Sequence, residues 1–213
     1  MRFGDDSAAE YPAIPLLGGK IKLSGKIDRV DTYKDYCRII DYKTGSADDS
    51  EKQLFSGTKL QLYLYAAAVK DKKLAGAYYI PVTDAFRKSD EEKTPLAIGK
   101  TLFDEDALSA QDKNIAEKGE SEFIPPRSDK GKMKNVYDEK TMRALVDYAL
   151  KISENAAREL DEGVIVPSPF GDTCEYCEFR ALCGAEDPEK RSVKSVDGAT
   201  IEKAVNGEEE CPN

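Results

Sequence analysis

Residues 18–45 constrain the fold of this chain more than any other segment. They read GGKIKLSGKIDRVDTYKDYCRIIDYKTG, in which two short runs rich in β-branched residues are bounded by glycines. Such runs predict two strands, and the dipeptide Lys34-Asp35 between them predicts the turn of a hairpin. We therefore expect a sheet that contains this ribbon.

The expected hairpin brings two carboxylates together. With a two-residue turn, positions whose numbers sum to 69 face each other, so Lys26, Asp28, Asp41 and Lys43 share one face of the ribbon. Two opposed carboxylates repel each other, and a divalent cation between them relieves that repulsion. Hard oxygen ligands of this kind suit Mg²⁺ or Mn²⁺. The alternative is a solvated polar face with interspersed salt bridges, because a slip of one residue would undo the pairing.

The rest of the chain alternates helical and strand-like segments. Residues 57–71 predict a helix, 75–83 a strand, and 138–162 a long helix that ends at Gly163. We divide the chain into a polar lead-in (1–17), one main α/β domain (18–184) and an acidic, loosely ordered tail (185–213).

Composition limits the classes of function open to the chain. With 213 residues and 40% hydrophobic residues, it can build one proper core. Its formal net charge of -9 makes it a poor free-standing, non-specific DNA binder, because neutralising phosphates needs clustered Lys and Arg. DNA could still be reached through a metal ion or a larger complex. The absence of His rules out Ser-His-Asp and Cys-His catalysis within this chain. No apolar run approaches the ~20 residues of a membrane helix.

Three of the five cysteines lie within ten residues, at Cys174, Cys177 and Cys183. Three clustered thiolates and a distant fourth can hold a [4Fe–4S] cluster, whereas structural zinc usually takes four protein ligands. We expect Cys37 to be a packed thiol, and nothing in the Glu-rich surroundings of Cys211 suggests a ligand. An odd number of cysteines without a secretion signal predicts a reduced, cytoplasmic protein with no membrane association.

One constellation of residues resembles a known family. An Asp, a D-x-K pair and a Q-x-x-x-Y helix motif follow each other in this order, as Asp28, Asp41-Tyr42-Lys43, and Gln61 with Tyr65. This order resembles the RecB-type branch of the PD-(D/E)XK nuclease superfamily. The resemblance implies a restriction-endonuclease-like α/β core, with a central mixed sheet flanked by helices.

The same resemblance implies a role for each residue. Asp28, Asp41 and the backbone carbonyl of Tyr42 would bind the metal ion. Lys43 would orient or deprotonate the attacking water and stabilise developing negative charge. Gln61 and Tyr65, four residues apart on one helix face, would support Lys43 and the DNA strand. Without the hairpin, the plainer interpretation is that Tyr65 packs and Gln61 is solvated.

Residues 18–184 also resemble the iron–sulfur nuclease domain of the AddB family of bacterial helicase–nuclease subunits. This resemblance rests on the cysteine spacing and on the interval between the motifs. It implies a Mg²⁺-dependent DNA exonuclease, with the three clustered cysteines as ligands of a [4Fe–4S] cluster in the full-length parent. It further implies an AddA-like helicase–nuclease subunit as heterodimer partner, which delivers single-stranded DNA while double-strand break ends are processed for recombinational repair.

Two departures from that family shape the expectation. Its members carry a further metal ligand, often His, and a fourth cluster Cys upstream of the hairpin, and neither occurs here. We therefore expect an N-terminally truncated domain whose activity is open and whose cluster is absent or incomplete. Two alternatives remain: an iron–sulfur exonuclease of the kind used in CRISPR adaptation, and a catalytically silent DNA-binding or structural fragment.

Overall fold

The structure, a computed structural model, describes residues 1–45, 47–82, 96–119, 121–125, 127–129, 132–171, 173–183, 193 and 195–208. Its strands are β1 (Arg2–Phe3), β2 (Ile14–Leu16), β3 (Ile21–Leu23), β4 (Gly25–Lys26), β5 (Arg29–Tyr33), β6 (Tyr36–Lys43), β7 (Lys73–Pro81), β8 (Ile98–Leu102), β9 (Arg127–Asp129), β10 (Lys132–Lys134) and β11 (Val136–Tyr137). Its α-helices are α1 (Glu51–Phe55), α2 (Gln61–Ala68), α3 (Glu105–Gln111), α4 (Lys113–Lys118), α5 (Glu139–Glu162), α6 (Arg180–Cys183) and α7 (Gly198–Asn206). Two 3₁₀ turns cover Leu17–Gly19 and Thr173–Tyr176.

A five-stranded mixed sheet forms the centre of the fold, in the order β11-β8-β7-β6-β5. The pairs β6–β7 and β8–β11 are parallel, whereas β5–β6 and β7–β8 are antiparallel. Helices lie on both faces of this sheet. The expected α/β architecture with a mixed, helix-flanked sheet is confirmed.

The hairpin follows the predicted register over most of its length. Val30 pairs with Ile39, and Tyr33 pairs with Tyr36 across the two-residue turn. The ladder ends at Arg29 and Ile40, one step before the position at which Asp28 would oppose Asp41. The predicted pairing of Lys26 with Lys43 is wrong. Lys26 lies on β4 and pairs with Arg2 of β1, because the chain turns away from β6 at Asp28.

The two faces of the sheet have cores of different size. The larger core lies under α2 and α5 and contains Ile39, Ala77 and Leu145, all buried. The smaller core lies under α3 and α4 and contains Ile40 and Tyr78. Neighbouring residues of β6 and β7 belong to different cores because successive side chains of a strand point to opposite faces. Asp41 and Lys43 therefore share a face with Ile39, on the side of the larger core.

The ends of the chain pack more closely than their composition predicts. Residues 1–17 were expected to form a lead-in, yet they supply β1 and β2 and bury Phe3, Ile14 and Leu16. The tail was expected to be loosely ordered, and this is wrong for α7. Ile201 and Ala204 are fully buried in the larger core, and α7 packs against α5. A small apolar stripe was enough because α5 supplies the other half of the contact. Cys211 lies outside the described residues.

The predicted helix over 57–71 is shorter than expected and starts later. The segment before it holds α1, and a turn at residues 56–60 separates α1 from α2. Gly57 has a φ of +78°, which breaks the helix there because other residues rarely adopt that conformation. By contrast, α5 has the predicted extent, with Asp138 capping its start and Gly163 in the left-handed conformation at its end. Within the described residues, no helix combines the length and apolarity needed to cross a membrane.

Candidate active site

Lys43 is the residue on which the site converges. It is the last residue of β6, and its Nζ lies 2.6 Å from Asp41 Oδ2 on the same strand. The same ammonium donates a hydrogen bond of 2.7 Å to Gln61 Oε1 at the start of α2. Gln61 in turn donates through Nε2 to the Tyr65 hydroxyl at 2.7 Å. The structure thus brings together the D-x-K pair and the Q-x-x-x-Y motif, which are 18 residues apart in the chain at Lys43 and Gln61.

Asp41 is the buried member of the site. Only 3% of the residue is exposed, and its Oδ2 has no hydrogen-bond partner among the described residues. The 2.6 Å contact with Lys43 Nζ is an ion pair in distance, but its angles do not make a hydrogen bond. A buried carboxylate oxygen that lacks a hydrogen bond is costly, so its presence indicates a ligand-binding role.

Asp28 reaches the site by a different route from the one the hairpin register predicts. It lies in a bend just before β5, and its Oδ2 accepts a hydrogen bond of 3.0 Å from the backbone N–H of Tyr42. The side chain thereby takes the place of the next backbone rung of the ladder. This bond holds the Asp28 carboxylate beside β6, between the positions of Asp41 and Lys43.

Tyr65 records the closeness of both carboxylates. Its pKa is raised, first because the ring is partly buried and further because the negative charges of Asp41 and Asp28 disfavour a phenolate. Hydrogen bonding from Gln61 and the positive charge of Lys43 act in the opposite direction. The hydroxyl therefore stays protonated near neutral pH. Phe3 packs edge-on against the Tyr65 ring, with 6.1 Å between centroids, which fixes the ring from the far side.

The chemistry of the donors fits a hard divalent cation. Asp28, Asp41 and the carbonyl of Tyr42 would offer oxygen atoms, and the unbonded Oδ2 of Asp41 is already buried and available. Among the described residues, no group of three or more His, Cys, Asp or Glu side chains is placed to hold a metal ion. The remaining coordination positions would thus belong to water or substrate oxygens, as is common for Mg²⁺.

Sequence comparison agrees with this geometry. A sequence model of the PD-(D/E)XK nuclease superfamily matches residues 1–184. The chain belongs to this superfamily. Nucleases of the superfamily generally use divalent metal ions, which agrees with the oxygen-rich donor set described above.

The curated relatives of this PD-(D/E)XK chain share one name, since all are AddB subunits of an ATP-dependent helicase/deoxyribonuclease. The protein from Clostridium novyi (strain NT) is 34% identical over 85% of this chain. The one from Carboxydothermus hydrogenoformans is 30% identical over 89%, and the one from Clostridioides difficile (strain 630) is 25% identical over 98%. The matched regions cover 19%, 20% and 21% of these three proteins. The chain thus spans about a fifth of their length.

Two residues beside the PD-(D/E)XK site were not singled out from the sequence. Tyr79 of β7 lies next to Asp41 in the sheet, and its ring centre is 5.2 Å from Lys43 Nζ. Lys59, in the turn before α2, places its Nζ 6.0 Å from the same ring centre. The parallel pairing of β6 with β7 creates this neighbourhood, and the linear sequence carries only a strand signal for Tyr79.

A buried ionic network supports the same face of the sheet. Lys100 of β8 is 4% exposed, and its Nζ lies 3.1 Å from Asp49 Oδ2 and 3.5 Å from Glu51 Oε1. The buried Tyr63 hydroxyl bonds both carboxylate oxygens of Asp49 at 3.1 Å. Burial raises the pKa of Asp49 to about 6, against the lowering effects of Lys100 and Tyr63. This network anchors the connection that leads from Lys43 into α1.

The cysteines divide into one core residue and one exposed group. Cys37 is 2% exposed in the larger core, and burial raises the pKa of its thiol to about 11, as suits a packing residue. Cys174 is partly exposed, and Cys177 and Cys183 are exposed. Their predicted role as cluster ligands stays a prediction, as do the predicted roles of the residues around Lys43.

Proposed function

We propose that this chain is a metal-dependent deoxyribonuclease domain that hydrolyses phosphodiester bonds in DNA. One observation carries the proposal: Lys43 Nζ lies between the buried Asp41 carboxylate at 2.6 Å and Gln61 Oε1 at 2.7 Å. The ammonium is thus fixed beside a carboxylate oxygen that has no hydrogen bond of its own. Such a fixed pair of opposite charges suits a reaction in which an anionic phosphate must be bound and attacked.

The protein side chains divide the chemical work. Lys43 has three N–H donors, and Gln61 accepts only one of them in the structure. The others can donate to a phosphate oxygen or orient a water molecule for in-line attack. Gln61, held by the Tyr65 hydroxyl, keeps the ammonium from turning toward solvent. Asp28 and Asp41 supply the negative charge that keeps Lys43 protonated until a substrate arrives.

The cofactor of this proposal is Mg²⁺ or Mn²⁺. Asp28, Asp41 and the Tyr42 carbonyl would hold it, and the unbonded Oδ2 of Asp41 supports this choice. When bound, such an ion polarises the phosphate and lowers the pKa of a bound water.

The names of the relatives suggest the setting. They are AddB subunits of an ATP-dependent helicase/deoxyribonuclease, so we place this domain in a cytoplasmic helicase–nuclease that processes double-strand break ends for recombinational repair. An AddA-like subunit would be its partner and would deliver single-stranded DNA. Such delivery reconciles a net charge of -9 with a polyanionic substrate. In the parent protein, Cys174, Cys177 and Cys183 would supply three thiolates of a [4Fe–4S] cluster.

The test is degradation of end-labelled single-stranded DNA by the full chain with Mg²⁺ or Mn²⁺, against EDTA. Lys43→Ala should remove cleavage, because the ammonium that contacts the phosphate is lost. Lys73→Ala is the matched control: it removes a lysine from the start of the neighbouring strand, where the side chain is 53% exposed and pairs with Glu139. Cleavage that needs the metal and Lys43 but not Lys73 supports the proposal. A wild-type chain that cleaves with neither metal contradicts it and favours a silent DNA-binding or structural module.

A further inference from the structure

A cavity of about 360 Å³ opens beside Lys43, on the side away from Asp28. It is lined by Lys43, Gly57, Thr58, Lys59, Leu60, Gln61 and Tyr79. Its volume falls at the lower end of the range found for small-ligand pockets, which is enough for part of one nucleotide. The cavity therefore adjoins the proposed catalytic lysine and has a second lysine in its wall.

The turn that carries Lys59 is tightly held. The carbonyl of Gln53 accepts from the backbone N–H of Thr58 at 3.0 Å and from that of Lys59 at 3.3 Å. The hydroxyl groups of Ser56 and Thr58 donate to the same carbonyl at 3.0 and 3.1 Å. The backbone position of Lys59 is thus fixed relative to α1 and α2, so the side chain projects from a rigid base.

The charges around the cavity are unbalanced. Lys43 and Lys59 approach the same Tyr79 ring, at 5.2 and 6.0 Å from its centre. Lys43 has Asp41 as its counter-ion, whereas no carboxylate of the described residues lies within ion-pair distance of Lys59. The aromatic face stabilises a cation without neutralising it. A partly buried, unneutralised ammonium at the wall of a cavity suits an anionic ligand.

We infer that Lys59 binds the DNA phosphate adjacent to the scissile one, with the intervening nucleotide entering the cavity. This inference rests on the proposed nuclease function. Lys43 would contact the scissile phosphate, and Lys59, from the other side of Tyr79, would hold the next phosphate along the strand. Lys59 is then a positioning residue: it sets where the strand lies and takes no part in the bond that breaks.

The first experiment measures binding without cleavage. The full chain is titrated with fluorescent single-stranded DNA in Ca²⁺ and in EDTA, at several salt concentrations. Lys59→Gln should weaken binding about five- to tenfold and lower the slope of log affinity against log salt by about 0.7, the value for one lost phosphate contact on a single strand. Lys59→Arg keeps the cation and should restore most of the affinity.

Lys34→Gln is the matched control for this experiment. Lys34 also lies over an aromatic ring, 5.3 Å from the centre of Tyr33, but it occupies the hairpin turn at the opposite end of β6 from Lys43. The substitution removes the same charge and should leave affinity and salt slope unchanged. Equal effects of Lys34→Gln and Lys59→Gln would overturn the inference, because they would show only a general loss of charge.

The second experiment locates the phosphate. Oligonucleotides carrying one neutral methylphosphonate at each position in turn are cleaved under single-turnover conditions. For the wild-type chain, one position next to the scissile bond should raise the KM about five- to tenfold, with kcat almost unchanged. Lys59→Gln should lose nothing further at that position. A variant that remains as sensitive as the wild type at every position overturns the inference.

These outcomes separate the two proposals. If the wild-type chain cleaves DNA and Lys59→Gln matches it in KM and salt slope, the phosphate assignment fails and the nuclease function stands. If the wild-type chain does not cleave, the nuclease function fails, and the binding titration still reports whether Lys59 contacts a phosphate.

Discussion

The hydrogen bond from Lys43 Nζ to Gln61 Oε1, 2.7 Å long, joins the end of β6 to the start of α2. It is the direct link between the strand motif and the helix motif of the site. Because Gln61 also donates to Tyr65, the orientation of the Lys43 ammonium depends on a relay of two hydrogen bonds. The strength of that relay can be measured at each member.

Shortening Gln61 should impair catalysis more than folding. Gln61→Ala leaves Lys43 with Asp41 as its remaining partner, and we expect kcat to fall on the order of 10²-fold through misplacement of the ammonium. Tyr65→Phe removes only the outer hydrogen bond, worth about 1 kcal/mol, and should cost roughly fivefold in kcat. Single-turnover cleavage rates and urea unfolding of the same samples provide the measurements. Equal losses of rate from both variants would contradict a relay.

Divalent cations should stabilise the folded chain through Asp41. Its buried Oδ2 lacks a hydrogen bond, so a cation that binds only the native state raises the free energy of unfolding, by about 2.7 kcal/mol at a concentration one hundred times its Kd. Asp41→Asn removes the charge and should abolish both this stabilisation and cleavage. Thermal unfolding with Mn²⁺ and with EDTA checks the effect. An Asp41→Asn chain that Mn²⁺ stabilises as much as the wild type would place the metal elsewhere.

The buried Asp49 should make stability depend on pH in a defined window. Its pKa is raised to about 6 in the native state, above the value of ~4 for an unfolded Asp, so the native state binds the proton more tightly. The resulting stabilisation is fully present below about pH 4 and is lost as pH rises through 6. We expect a loss on the order of 2–3 kcal/mol relative to Asp49→Asn, in which this titration is absent.

Urea unfolding of both chains between pH 4 and 7 measures the difference. Asp48→Asn is the matched control, since it makes the same change at the adjacent, exposed position, where the carboxylate bonds only Ser50 and Gln53. Its pH profile should follow that of the wild type. A flat difference between wild type and Asp49→Asn across the window would show that Lys100 keeps Asp49 ionised.

Truncating Ile201 should destabilise the whole domain. The side chain is fully buried in the larger core, and Ile→Ala at such positions costs about 2–5 kcal/mol. Lys203→Ala changes an exposed residue on the same helix and should stay within about 0.5 kcal/mol of the wild type. Equal stability of the two variants would restore the expectation of a loose tail.

Much of the fold was predictable because its signals are local. The run of β-branched residues around Lys34-Asp35 predicted both strands of the hairpin and their register, which the pairing of Val30 with Ile39 confirms. The long helix before Gly163 was predictable in the same way, from its apolar period and its C-terminal glycine. The tail was misjudged because α7 shows a short apolar stripe whose partner lies some 60 residues earlier, on α5.

The candidate site divides along the same line. The motif order from Asp28 to Tyr65 could be recognised in the sequence, and its residues do meet around Lys43. The contribution of Tyr79 could not be recognised, because a parallel strand pair joins residues about 38 positions apart without a local pattern. Lys59 looked like an ordinary helical lysine until Gly57 broke the helix and turned it toward the cavity.

The sequence by itself determined the residue types of the site, the hairpin that presents Asp41 and Lys43, and the α/β class, because strand alternation and helical period are written into neighbouring positions. Only the tertiary structure decided that Asp28 bonds the Tyr42 backbone instead of opposing Asp41, and that Lys59 shares an aromatic wall with Lys43. The physical reason is that these contacts depend on where the ladder ends and on which strands pair. Both are settled by packing between segments that are distant in the chain.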